Sequence, residues 1–224
     1  MKALTVKRIS ARGPRAESPA IKLERVKFVS QLNSFELNGW VPVYVDETHL
    51  EIGNVSGYGR SPAGEKCIVA ASLRPRVVST IASLTMNGPR HALVVDGTVD
   101  GKTFQAYVQH LLAEIVQRDR PGHIVLVLDN ASIHKRPEMI SSVEATGHKI
   151  LFNAPYSPEL NTIEIMFGIW KKRAKNEIRN WADDSDLLRQ LTGVFTSIHP
   201  ETARKLCNHP RKEVWERVFA HQDL

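Results

Sequence analysis

The stretch that decides the fold is HIVLVLDN, residues 123–130, in which positions 124–128 are all apolar. A strand that is apolar at nearly every position is typical of the centre of a sheet whose two faces are both covered by other elements. The pattern therefore predicts a buried central strand over 124–129, with Asp129 at its end. Together with the order of the other elements, it predicts an α/β protein.

A second strand is predicted by VPVYVDET, residues 41–48, which places Asp46 at the end of a strand over 41–46. Asn87-Gly88 separates two β-type runs and predicts a hairpin. The other predicted strands are 67–73, 77–85, 91–96 and 149–152, and the predicted helices are 21–38, 103–118, 136–146, 160–178 and 185–198, with two further helical pieces near the C-terminus. A hairpin region followed by alternating strands and helices predicts a mixed sheet flanked by helices.

The composition favours an intracellular globular protein. The chain has 224 residues, 42% of them hydrophobic, which is enough for one sizeable core. Cys67 and Cys207 lie far apart and predict two buried, reduced thiols rather than a disulfide framework. No apolar stretch approaches the roughly 20 residues needed to span a bilayer, so we expect no membrane partner. Lys and Arg outnumber Asp and Glu by 30 to 24, a balance that favours a polyanionic partner without requiring one.

Three acidic residues stand in positions suited to metal-dependent chemistry. Asp46 and Asp129 end predicted strands, and Glu164 follows a Pro-rich turn in NAPYSPELNTIE, residues 153–164. Two strand-end carboxylates and one helix carboxylate can converge on a pair of divalent ions, which act on phosphodiester bonds in many enzymes. Each acid alone has an ordinary interpretation, because Asp129-Asn130 fits an Asx-turn and Glu164 fits a helix N-terminus.

Two further patterns are candidates for DNA contact. On the predicted helix, Glu164, Gly168, Lys171 and Lys175 share one face. The two lysines suit a DNA backbone that runs along the helix, or they are solvated side chains of an amphipathic helix. His134, five residues after Asp129, is predicted either to touch a phosphate or metal-bound water, or only to pack at the start of a helix.

Five blocks in order resemble the catalytic domain of mariner-superfamily transposases, in particular their insertion-sequence relatives. The blocks are VYVDET (43–48), YGRSPAGE (58–65), LVVDGTVDGKTF (93–104), VLDNASIHK (127–135) and NAPYSPELNTIE (153–164). The resemblance covers about residues 24–180. Thirty-four residues separate Asp129 from Glu164 (164 − 129 − 1 = 34), an interval that is a hallmark of this family.

The resemblance implies a ribonuclease H-like fold and a triad of Asp46, Asp129 and Glu164 that binds two Mg²⁺ or Mn²⁺ ions. Asp46 would bridge the two ions, and Glu164 would complete the shell of one. The family cuts transposon ends with water and joins the freed 3′-hydroxyl to target DNA, usually at TA, as a dimer. Tyr156 and Asn161 would shape the mouth of the site. The candidate DNA contacts are Lys171, Lys175, Arg60, His134, Tyr156 and Asn161.

The chain departs from the family pattern in two ways. Thr162 stands where the family usually has Pro, a change compatible with the start of a helix. Only 45 residues precede Asp46, and no pair of helix-turn-helix modules is evident, although the family normally begins with such modules. We therefore expect a basic arm over 1–24, a catalytic domain over 25–180 and a helical extension of the same domain over 181–224.

Two other functions stay open at this point. One is a different ribonuclease H-like nuclease, which would cut RNA–DNA hybrids or DNA junctions. The other is a domesticated DNA-binding protein without catalysis, although all three acids of the triad are present. The spacing between Asp129 and Glu164 and the block at 153–164 favour the transposase, in the bacterial cytoplasm or in a nucleus.

Overall fold

The computed structural model describes residues 14–53, 60–66, 68, 76–119, 122–178 and 180–221. Five strands form one mixed sheet in the order β3-β2-β1-β4-β5. The strands are β1 Trp40–Ile52, β2 Arg76–Thr85, β3 Gly88–Asp96, β4 His123–Leu128 and β5 Lys149–Phe152. The pairs β1–β2 and β2–β3 are antiparallel, whereas β1–β4 and β4–β5 are parallel. The predicted mixed sheet is confirmed.

Helices cover both faces of this sheet. They are α1 Pro19–Leu37, α2 Gly101–Asp119, α3 Pro137–Glu144, α4 Thr162–Glu177, α5 Asp184–Thr196, α6 Pro200–His209 and α7 Trp215–Phe219. Helices α2 and α3 share one apolar core with the sheet, and α1 and α4–α7 share another. Residues of β4 alternate between the two cores, with Val125 and Val127 on one face and Leu126 and Leu128 on the other. This confirms the prediction that β4 is covered on both faces, although the middle strand of the sheet is β1 and β4 lies next to it.

Strand β1 is longer than predicted, and Asp46 lies in its middle rather than at its end. The prediction was wrong because the strand changes environment at this point. Residues 40–44 pair with β4, and residues 44–52 pair with β2, so beyond Tyr44 the strand pairs with β2 alone. Burial alternates from Thr48 to Ile52, as expected for a strand with one face covered by the core.

Helix α1 begins earlier than predicted. Ser18 caps it, with its Oγ accepting from the backbone N–H of Ile21 at 3.4 Å. Residues 19–24 therefore belong to this helix and not to the predicted basic arm, of which residues 1–13 lie outside the described part of the chain. Of the predicted strand 67–73, only residue 68 is described. The predicted hairpin is confirmed, with Thr85 paired to Gly88.

The C-terminal helices pack directly on α4. Trp170 Nε1 donates to the backbone carbonyl of Leu191 at 3.0 Å, and the Trp170 ring meets Phe195 edge-on. Cys207 is buried in the same core, as predicted. These contacts fix α4, the helix that carries Glu164, against the sheet.

Among the described helices, none combines the length and the apolar character needed to cross a membrane.

Candidate active site

Asp46 and Asp129 are brought together by the register of two parallel strands. Tyr44 pairs with Val127, so two residues further along Asp46 lies opposite Asp129, just beyond the last residue of β4. Asp46 is only 7% exposed. Its Oδ1 accepts from the backbone N–H of Glu47 at 2.8 Å, and its Oδ2 accepts from Asn161 Nδ2 at 2.8 Å. Because β4 ends at Leu128, Asp129 lies just past the strand, beside Asp46 on β1.

Glu164 approaches from the first turn of α4. The turn that precedes this helix holds it in place, because Asn161 joins the turn to Asp46. On α4, Ile163, Phe167, Trp170 and Ala174 are buried. Glu164, Gly168 and Lys175 are exposed and Lys171 is half-buried, so the predicted two-faced helix is confirmed.

The three carboxylates line one cavity of about 200 Å³. Its other walls come from the turn at 153–161 and from Asn130. Tyr156 lies at its rim with a positive φ of 54° and 60% of the residue exposed. A side chain other than Gly in this backbone region is uncommon and indicates a constrained turn.

Burial and like charge make Asp46 hard to ionise. Burial, followed by repulsion from Asp129, raises the pKa of Asp46 from 3.8 to about 7, and Glu164 adds to the repulsion. The pKa of Glu164 is also raised by burial, against the opposing effect of Lys171. Clustered carboxylates with raised pKa values are typical of functional sites, and a bound cation would relieve the repulsion.

Asp129 behaves in the opposite way because of His134. Burial alone would raise the pKa of Asp129, but the hydrogen bond from His134 and the backbone N–H of Ala131 outweigh it, and the pKa lies below its ordinary value. Nδ1 of His134 lies 2.6 Å from Oδ1 of Asp129, within ion-pair distance although poorly aligned as a hydrogen bond. His134 thus fixes Asp129 in its ionised form.

His134 is fully buried between two carboxylates. Its Nε2 lies 2.8 Å from Glu47 Oε2, and its ring packs on Phe104 with 4.2 Å between ring centroids. Burial lowers the pKa of His134, but the contacts with Asp129 and Glu47 outweigh burial and raise it to about 9. The prediction that His134 touches a DNA phosphate does not fit this placement, because both ring nitrogens face carboxylates inside the protein.

Asn161 is likewise a positioning residue rather than a surface contact. It is 2% exposed, and its amide donates to Asp46. The prediction that it contacts DNA therefore does not fit its position either. Of the predicted contacts, Tyr156, Lys175 and Arg60 are exposed and Lys171 is half-buried.

The sequence reading missed Arg25, a buried arginine that supports the turn. Arg25 is 1% exposed, and its Nε donates to Ser157 Oγ at 2.8 Å. Its Nη2 donates to the carbonyl of Ala16 at 2.7 Å, and its Nη1 to Glu17 at 3.3 Å. The turn is also tied internally, because Asn153 Nδ2 donates to the carbonyl of Ser157 at 2.8 Å.

Arg25 had one signal in the sequence. It shares the buried face of α1 with Val29 and Leu32, so a charged residue occupies a core position of the helix. Its partner Ser157 is 132 positions away along the chain, which no local pattern reveals.

The chemistry of the donor set fits a divalent metal. The cavity gathers carboxylate oxygens, the ligands that Mg²⁺ and Mn²⁺ prefer. Asn161 Oδ1 is buried and lacks a hydrogen-bond partner in the described part of the protein, so a polar atom beside Asp46 is left unsatisfied. The three carboxylates are not drawn together within 4.8 Å as a single ligand set.

Sequence comparison identifies the family. The sequence model described as DDE superfamily endonuclease matches residues 42–188, a segment that contains all three carboxylates. A search of curated proteins finds no significant match.

Comparison of structures finds the same fold in Mos1 mariner transposase. The paired-end complex with Mg superposes with a TM-score of 0.74 at 15% identity, covering 98% of this chain and 67% of that chain. The strand transfer complex gives 0.72 at 17% identity, covering 98% and 67%. The isolated catalytic domain gives 0.69 at 15% identity, covering 96% and 98%. The chain thus spans about two thirds of the transposase in those complexes, and the predicted ribonuclease H-like fold is confirmed.

Proposed function

Because the chain belongs to the DDE superfamily endonucleases, we propose that it is the catalytic domain of a DNA transposase. The reaction would be hydrolysis of a phosphodiester bond followed by transesterification onto target DNA. The observation that carries this proposal is the shared cavity of Asp46, Asp129 and Glu164 at the point where β4 ends beside β1. No Tyr or Ser nucleophile is required for this chemistry.

Asp46, Asp129 and Glu164 would hold two Mg²⁺ or Mn²⁺ ions, with Asp46 shared between them. When bound, such ions stabilise the attacking and leaving oxygens of an in-line displacement. Support comes from the carboxylate donor set that lines one cavity. Solved structures of Mos1 transposase with Mg and with Mn also support the choice of ions.

The surrounding residues would position these ligands. Asn161 orients Asp46 through its amide, and His134 holds Asp129 as an anion while Glu47 orients His134 from the other side. Arg25 keeps the turn at Tyr156 and Ser157 in its constrained shape. These supports are rigid because their side chains are buried, so the acids would be set in place before DNA arrives.

DNA is the proposed partner, both as transposon ends and as a target that contains TA. The net charge of +6 supports a polyanionic partner. Lys171 and Lys175 extend from Glu164 along α4, and Tyr156 and Arg60 are exposed, so these four are the proposed DNA contacts. Mos1 transposase is known as a paired-end complex and as a strand transfer complex, which supports action on paired DNA ends. The chain would act there as a dimer.

We also propose the organisation of the chain. The basic arm predicted over 1–24 would end earlier, because residues 14–17 form a helical turn that contacts Arg25 and α1 begins at Pro19. The catalytic domain would run to about residue 180, with the C-terminal helices as an extension that shares its core. The protein would act inside the cell, where its DNA substrate is.

The test is a nicking and strand-transfer assay with a pre-cut DNA end and supercoiled plasmid. We expect activity in Mg²⁺ or Mn²⁺, none in EDTA, and none for Asp129→Asn in any metal. The matched control is Glu51→Gln, an exposed carboxylate on the same strand as Asp46, which should retain wild-type activity.

Two results would overturn the proposal. Activity of Asp129→Asn equal to that of the wild type would assign the reaction to other residues. Cleavage of an RNA–DNA hybrid without any strand transfer of DNA would instead favour a different ribonuclease H-like nuclease.

A further inference from the structure

Three metal-ligating side chains meet at a second place, away from the catalytic cavity. His91 lies on β3, the edge strand of the sheet, and His110 and Glu114 lie on α2. One nitrogen or oxygen of each lies within 4.8 Å of the other two. Among the residues that the structure describes, this is the only group of three His, Cys, Asp or Glu side chains with that geometry.

Contacts of the His91 backbone fix β3 to β2 and to α2 independently of the three ligating side chains. The backbone N–H of His91 donates to Ser83 Oγ at 3.1 Å. Its carbonyl accepts from the hydroxyl of Tyr107 on α2 at 2.9 Å. His110 and Glu114 are four residues apart on α2 and therefore share one face of it. The cluster is thus built on two elements that are already fixed relative to each other.

The distances are close to those of a metal centre. His91 Nδ1 lies 3.6 Å from Glu114 Oε2, and the rings of His91 and His110 have centroids 5.0 Å apart. Ligands at about 2.0–2.1 Å from a tetrahedral ion lie about 3.3–3.4 Å from one another. The His91–Glu114 pair needs little adjustment to reach that separation, and His110 is exposed, so its ring can turn.

An ordinary ion pair between His91 and Glu114 explains only part of the cluster. The ring of His110 lies beside that of His91, and its ligating nitrogen belongs to the same group of three. An ion pair needs one histidine, whereas a metal ion can use both imidazoles and the carboxylate as ligands.

We propose that His91, His110 and Glu114 form a site for a transition-metal ion of the zinc type. Two imidazoles and one carboxylate suit Zn²⁺, whereas the all-carboxylate catalytic cavity suits Mg²⁺ or Mn²⁺. The ion would tie α2 to the edge strand β3. Helix α2 also carries Phe104, which packs on His134 beside Asp129, so the site would brace the helix behind the catalytic cavity.

The test is Zn²⁺ titration by calorimetry with the wild type, His110→Ala and Glu114→Gln. We expect each substitution to weaken one class of Zn²⁺ site by at least about tenfold. At free Zn²⁺ about a hundredfold above Kd, the melting temperature of the wild type should rise by about 5–10 °C, and that of the variants by much less. Mg²⁺ should not substitute in either measurement.

A matched control is His209→Ala. His209 lies 3.3 Å from Glu213, also four residues away on a helical segment, but among the described residues no third His, Cys, Asp or Glu completes a group with this pair. Its loss should leave Zn²⁺ affinity unchanged. Because zinc can also bind carboxylates, the whole series is repeated with Asp129→Asn added, and the loss caused by His110→Ala should persist.

Equal Zn²⁺ affinity in the wild type, His110→Ala and Glu114→Gln would overturn the proposal, and so would an equal loss in His209→Ala. Visible absorption of bound Co²⁺ provides a second readout. A tetrahedral spectrum in the wild type that is absent from His110→Ala supports the site, and identical spectra contradict it. Circular dichroism of each variant shows that the fold is intact.

Discussion

Asp46 and Asp129 line the same cavity, yet the protein holds them by different means. Asp129 contacts a cationic histidine, and its pKa lies below the ordinary value. Asp46 contacts neutral donors, the amide of Asn161 and a backbone N–H, and its pKa is raised to about 7. One carboxylate is therefore ionised by the protein itself, whereas the other would rely on the proposed metal ion. The difference suggests that Asp46 is the acid most sensitive to metal.

The residues that support Asp129 and Asp46 also differ in chemical character. Behind Asp129 is a short chain of charges, His134 and then Glu47. Beside Asp46 lies the turn at 153–161, which amide and hydroxyl side chains hold together. The buried Arg25 of α1 donates to this turn at Ser157. The following changes test each side separately.

Substitution of Arg25 should have the largest effect on stability. Arg25→Ala removes the hydrogen bonds that Arg25 donates to Ser157, Glu17 and the carbonyl of Ala16. We expect a loss of about 3 kcal/mol in the free energy of unfolding. Strand transfer should also fall at temperatures where the variant is folded, because the turn beside Asp46 loosens. Chemical denaturation measures the first effect.

The control is Arg76→Ala. Arg76 also contacts two carboxylates, Asp96 at 3.0 Å and Asp184 at 2.9 Å, but on the surface. Arg76→Ala should lower the free energy of unfolding by about 1 kcal/mol or less. Equal losses in the free energy of unfolding for the two variants would show that the burial of Arg25 does not strengthen its contacts.

Asp46→Asn should stabilise the metal-free protein in a pH-dependent way. In the unfolded chain this carboxyl titrates near 3.8, and in the folded protein near 7, so the folded state binds the extra proton between these values. The wild type therefore loses stability as pH rises from about 4 to about 7, whereas Asn does not titrate. In EDTA the variant should gain about 2–4 kcal/mol relative to the wild type across that range.

Unfolding free energies at several pH values check this, with Glu51→Gln as the control that shows no such change. A variant that loses stability at pH 7 would mean that the ionised Asp46 supports the fold. Added Mn²⁺ should reduce the difference, since the ion stabilises only the wild type.

His134→Ala tests the other side of the cavity. Without His134, Asp129 and Glu47 lose the cation between them, and we expect metal-supported nicking to fall by about 10–100-fold. His148→Ala is the control, because His148 is also a buried histidine but lies beside the first residues of β4, where its Nδ1 faces the backbone N–H of Ile124. If the two variants lose activity equally, His134 acts only by packing.

The smallest effect is expected on the outer face of α4. Lys171→Ala with Lys175→Ala should weaken DNA binding at all sequences and reduce the slope of log affinity against log salt by about 1–2. Binding measured at several salt concentrations gives this slope. Lys172→Ala with Arg173→Ala, on the same helix but off this stripe, should change it less.

The three acids that line the cavity could be singled out because each leaves a local signal. Asp129 directly follows an apolar run, and Glu164 follows a turn rich in Pro and begins a helix. The mixed sheet and the burial of β4 followed from the hairpin and from the fully apolar run 124–128, whereas the order of the strands did not. The end of β1 was misplaced because the strand continues beyond Asp46 as an alternating segment, which pairs with β2 alone.

The supports could not be predicted because they join distant parts of the chain. His134 meets Glu47 across 87 positions, and Arg25 meets Ser157 across 132. His110 and Glu114 were readable as a helical pair, but His91 joins them only because β3 packs beside α2. Local patterns identify residues of the right chemical type, and tertiary packing decides which of them meet.

The measurement that tests the central claim most directly is Mn²⁺ binding to the purified protein by calorimetry. The wild type should bind Mn²⁺ at a site that Asp46→Asn, Asp129→Asn and Glu164→Gln each weaken strongly, while Glu51→Gln binds like the wild type. Unchanged Mn²⁺ binding in all three variants would contradict the claim that these acids form one metal site.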